Sequence, residues 1–83
     1  MDRFQKGMLA RSKCGHDAGK VYVIIQVDEA YVYLVDGRIR TLDKPKKKKK
    51  KHVQIICEQY DVTDATDVSI KRLLKEWSKE EEK

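Results

Sequence analysis

Seven lysines occupy the eight positions from Lys44 to Lys51, interrupted only by Pro45, and His52 follows directly. Ammonium groups at this density repel one another, so Lys44, Lys46, Lys47, Lys48, Lys49, Lys50 and Lys51 need solvent or a polyanion around them. The run lies inside the chain, tethered at both ends, which fixes its charge at one place on a folded surface. That suits phosphate contact, by ion pairing with release of counterions, better than a purely solvated loop. A second basic group surrounds two glycines in RSKCGHDAGK, where Arg11, Lys13, His16 and Lys20 flank Gly15 and Gly19. Glycine lets the backbone come close to a phosphate, and its exposed amides can donate to it. A third pair, Arg38 and Arg40, follows Asp36-Gly37.

Other chemistry is thinly represented. Tyr22, Tyr31 and Tyr33 can stack on unpaired bases, but aromatics on strands more often pack across the sheet or under a helix, and packing is the favoured reading. Cys14, His16, His52 and Cys57 supply four metal-ligating side chains without the close paired spacing of a zinc site, so neither metal nor cofactor is expected. No nucleophile elbow, phosphate loop, HExxH or dinucleotide fingerprint occurs, and no catalysis is expected.

The net charge of +5 is unevenly distributed. Residues 1–30 carry +1, residues 31–52 carry +7 and residues 53–83 carry −3. The positive middle would attract RNA, DNA or an anionic membrane. A membrane partner is not expected, because the lysines have no amphipathic face or lipid anchor beside them. The longest apolar run, Val21 to Ile25, is far too short for a span of roughly 20 residues, and the first residues, MDRFQKG, lack the apolar stretch of a signal peptide. A cytoplasmic protein with reduced cysteines is expected.

The positioning elements follow from pattern. Met8 to Ser12 and Val21 to Val27 read as strands joined by the glycine turn, and Tyr31 to Val35 as a third. Asp36-Gly37 is a two-residue hairpin signal and predicts a partner strand over Arg38 to Leu42. Residues 44–51 are then an exposed loop, and Val53 to Ile56 a fifth strand. Ile70, Leu73, Leu74 and Trp77 recur at helical spacing after a cap at Thr66 or Asp67. Residues 1–57 are thus expected to form a small SH3-like barrel of about five strands, and residues 58–83 a linker and C-terminal α-helix. The fold class is mainly β. The helix stripe must cover its own barrel or a protein partner.

RSKCGHDAGK, YVYLVDGRIRTL and the lysine run ending in KHVQI together resemble the KOW motif of RNA-binding proteins. The likeness is to ribosomal large-subunit proteins of the 14e/27e type and their small bacterial relatives, and covers about Phe4 to Ile56, roughly two-thirds of the chain. Gly19 stands where that motif has its characteristic glycine. The resemblance implies an SH3-like barrel that contacts RNA through the glycine turn and the lysine-rich segment. The chain lacks long extensions for threading into RNA, which favours an accessory place on the ribosome or another structured RNA. The alternative is an SH3-like protein-interaction module with an acidic or other protein partner.

Overall fold

Three strands form an antiparallel meander: β1 (Met8–Ser12), β2 (Val21–Val27) and β3 (Tyr31–Val35). The computed structural model describes residues 3–81. Beyond β3 the chain departs from the sequence pattern. Arg38 to Leu42 is not a strand, and β4 is instead Lys46–Lys49, paired antiparallel with β3. A single 3-10 turn, Lys50–His52, leads into β5 (Val53–Gln59), which crosses to the opposite edge and pairs with β1. The strand order is β4-β3-β2-β1-β5. The fold is therefore mainly β, as expected: five antiparallel strands curled into a half-barrel, with one C-terminal helix, α1 (Asp67–Glu81). No helix among the described residues is long and apolar enough to cross a membrane.

The failure of the expected hairpin has a local cause. A type I′ turn needs positive φ at both central residues, and Gly37 has it (φ 77°) while Asp36 does not. The Asp36 carboxylate accepts hydrogen bonds from the amides of Arg38 (2.8 Å) and Arg40 (2.9 Å), curling the backbone onto itself. The turn then docks on the start of α1, where the Leu42 amide donates to Asp67 Oδ1 (2.8 Å). The edge of β3 is left open for the lysines.

Alternation along the strands separates two apolar layers. Ala10, Tyr22, Ile24, Val32, Leu34 and Val53 fill the concave side. Leu9, Val23 and Val35 face the other way and meet Ile70 of α1, with Leu73, Leu74 and Trp77 packed against the same cluster. A register shift in β2 between Ile24 and Gln26 bends the sheet, as an extra residue in one strand does. The helix is capped by Thr66, whose Oγ1 accepts from the Ser69 amide (3.2 Å) while Ser69 Oγ accepts from the Thr66 amide (2.9 Å). This reciprocal arrangement satisfies two donors that a helix start leaves open.

Candidate functional site

Register decides what each lysine of β4 does. Lys46 lies opposite Leu34 and Lys48 opposite Val32, both concave-side residues. Their stems therefore run along the inner layer, and their ammonium groups reach the half-barrel's end. There they meet Asp17, buried in the glycine turn with 6 % of its surface exposed. Lys46 Nζ stands 2.9 Å from Asp17 Oδ2, and Lys48 Nζ 2.9 Å from Oδ1. Ser12 Oγ donates to Oδ1 (2.9 Å) and the Tyr22 hydroxyl to Oδ2 (3.2 Å), so the carboxylate is fully engaged. Lys48 also donates to the Cys14 carbonyl (2.9 Å). Burial pushes the Asp17 carboxyl up, but hydrogen bonds from Lys46, Lys48 and Ser12 overcome it and hold the group well below the usual carboxylate range. Burial and the Asp17 charge push the Tyr22 hydroxyl up to about 12.

The other two strand lysines point outward. Lys47 pairs with Tyr33 and Lys49 with Tyr31 on the convex side. Lys47 Nζ sits 4.3 Å from the centre of the Tyr31 ring, close enough for cation–π attraction. The Tyr33 hydroxyl donates to Asp28 (3.1 Å). Lys47, Lys49 and Lys51 are exposed, whereas Lys50 donates to the Glu29 carbonyl (3.0 Å). The expected exposed loop is thus corrected: Lys46–Lys49 form a strand, whose outward lysines face solvent and whose two inward ones are structural.

The two strongest sequence candidates are brought together. The glycine turn closes through the amide of Gly19 on the Ser12 carbonyl (2.8 Å), with Gly15 (φ 88°) and Gly19 (φ 90°) in the left-handed region. Lys13, Gly15, His16, Gly19 and Lys20 are exposed there, beside the end of β4. The Lys13 amide donates to the His52 carbonyl (2.9 Å), joining the turn to the lysine run a second time. Arg40 lines a small depression with His16, Lys20 and Lys46. Arg38 is exposed, and so is Lys44 ahead of the strand. Arg11 falls elsewhere, since it pairs with Val21 and Gln54, and strand alternation sets it opposite the face of Ala10 and Ser12.

Tyr22 packs as expected, with 3 % of its surface exposed. Tyr31 and Tyr33 do not go under the helix and stay half-buried. Among the described residues no three His, Cys, Asp or Glu side chains are grouped so as to hold a metal ion; the Cys57 side chain lies outside them. The residue missed by sequence reasoning is Asp17, buried beneath the basic residues of the glycine turn. A lone carboxylate amid Arg11, Lys13, His16 and Lys20 was the available signal. No family model matches this chain, and no curated protein matches it.

Proposed function

We propose that this chain is a non-catalytic, cytoplasmic RNA-binding protein of the KOW type that holds ribosomal or other structured RNA by electrostatic phosphate contacts. The observation that carries the reading is the alternation of β4. Half of its lysines are spent inside on Asp17, and the other half are held outward on a rigid strand. Alternate residues of a strand are about 6.7 Å apart, a spacing comparable with that of successive phosphates along a nucleic-acid strand. Lys51, Lys13, His16 and Lys20 extend the same basic edge. A strand-held array loses less side-chain and backbone freedom on binding than a loop would.

The protein-interaction reading has less behind it. Its sticky surface was the stripe Ile70, Leu73, Leu74 and Trp77, which packs on the chain's own sheet, with Ile70 only 1 % exposed.

The test is Lys47→Gln/Lys49→Gln/Lys51→Gln, which removes outward charge and leaves the Asp17 cluster alone. With about four to six phosphate contacts, log K against log salt slopes at roughly −3 to −5 in the parent. The variant should fold normally, lose about 2 to 3 from that slope, and weaken almost equally on unrelated RNA sequences. RNA binding that is equally tight in the folded variant, or insensitive to salt in the parent, overturns the mechanism.

A further inference from the structure

Helix α1 carries a basic face that the lysine strand does not explain. Lys71, Lys75 and Lys79 recur four residues apart, all exposed, on the flank of the stripe that packs on the sheet. Facing them across an open groove of about 860 Å³ are Lys20, from the glycine turn, and Arg38 with Ile39. Five cationic side chains among the described residues thus line one groove. Its one carboxylate among the described lining residues is Asp36, and Asp36 Oδ1 already accepts two backbone amides. The floor is apolar, formed by Val21 and Leu74. A concave surface of one sign over a low-dielectric floor concentrates the field and draws in anions.

Continuity identifies the occupant. Lys20, Asp36 and Ile39 also line the small depression containing His16, Arg40 and Lys46, and Lys46 opens β4. The groove therefore adjoins a depression in which Asp17 and Asp36 stand among His16, Lys20, Arg40 and Lys46, and through it reaches the glycine turn and the start of the lysine strand. No aromatic side chain among the described residues lines the groove, so it offers no stacking platform for bases and suits a sugar-phosphate backbone. Ile39, 76 % exposed at the lip, gives a ribose or base face apolar cover.

We infer that the groove between α1 and the 36–40 turn is a second backbone-binding channel for the same RNA that lies along β4. This rests on the RNA-binding reading above, which it extends from one edge to two faces of the molecule. The contacts are to phosphates, so the channel adds affinity and orientation without sequence preference.

The experiment titrates the full chain with a mixed-sequence single-stranded RNA of about 24 nucleotides, over a salt series. Lys71→Gln/Lys75→Gln/Lys79→Gln is expected to lower affinity about 50-fold at 0.15 M salt and to reduce the slope by about 2 to 3, the counterion share of three contacts. Arg72→Gln, which lies beside Tyr60 and Trp77 in a different depression, should change the slope by less than one contact. The triple Lys→Arg variant keeps the charge and should bind like the parent, which controls for damage to the helix. A parent that binds RNA steeply with salt while the folded glutamine triple matches it overturns the channel and leaves the lysine-strand mechanism standing. A parent that binds no RNA overturns both. A glutamine triple that keeps RNA but loses a polyglutamate peptide assigns the groove to acidic protein segments and overturns the inference.

Discussion

Two double substitutions in β4, identical in chemistry and one residue out of phase, should behave as opposites. Lys46→Gln/Lys48→Gln and Lys47→Gln/Lys49→Gln each remove two charges from the same four-residue strand. The first pair strands Asp17. Its side chain is 8 % exposed, and those of Lys48 and Lys46 are 10 % and 25 % exposed. A hydrogen bond to a charged group contributes about 1.5–3 kcal/mol, and a neutral amide in its place restores about 1. Lys46, a quarter exposed, is partly screened and counts for less. The inward pair should therefore cost about 2–4 kcal/mol, or roughly 10–25 °C of melting temperature for a domain this small. The outward pair should cost almost nothing.

Acid separates the cases further. In the parent the Asp17 carboxyl is held below its ordinary 3.8, so its contribution is complete above that value and is lost as pH falls through the folded value. In the inward variant the two lysines that lower the carboxyl are gone while the burial that raises it remains, so protonation should cost the folded state less than it does in the parent. The stability gap between variant and parent should narrow below about pH 4. Thermal melts followed by circular dichroism at pH 7 and in a descending pH series read both effects. Equal melting of the two doubles, or a gap that widens in acid, refutes the assignment of Asp17 as the anchor of β4.

Two further predictions test the scaffold. Gly37→Ala should destabilise by about 2 kcal/mol or more, because the new Cβ would meet the Asp67 carbonyl at a φ of 77°; Gly19→Ala, at φ 90° but in open space, should cost only about 1 kcal/mol, and chemical denaturation ranks the two. Trp77→Ala should cost up to about 3 kcal/mol, with a parent emission spectrum shifted away from that of exposed indole; an exposed spectrum and an unchanged melt would show that the helix does not pack on the sheet.

Much of this frame was legible in the sequence, for reasons that also explain what was not. β1, β2 and β3 announce themselves through β-branched and aromatic side chains, and the helix through Ile70, Leu73, Leu74 and Trp77, because burial imposes a period on those residues. The lysine run has no period to read. Lysine is a weak strand former, and identical residues hide which ones point inward. Asp36-Gly37 gave a false signal, since the Asp36 side chain captured backbone amides that a hairpin would have used otherwise. Asp17 owes its role to a lysine 31 residues away, a contact no local pattern encodes. The sequence places the glycine turn and the lysine run as two basic segments, but neither the departure of Arg11 from them nor the division between inward and outward lysines is legible there.

A strand built from one residue type cannot specify its own alignment. If Lys46–Lys49 slid two places along β3, Lys48 and Lys50 would present to Asp17 the same groups that Lys46 and Lys48 present now. Even a slip of one place, which ordinarily turns a strand inside out, would exchange lysines for lysines. Alignment must come from the flanks: the Leu42 amide fixed to Asp67 on one side, and on the other the Lys50 amide on the Ala30 carbonyl (3.0 Å) and the His52 carbonyl on Lys13. With position set from outside, the interior of the run is redundant. In a slip of one or two places toward Lys51, two ammonium groups still point in and two point out, so the displayed charge survives errors of alignment that would ruin a strand of mixed composition.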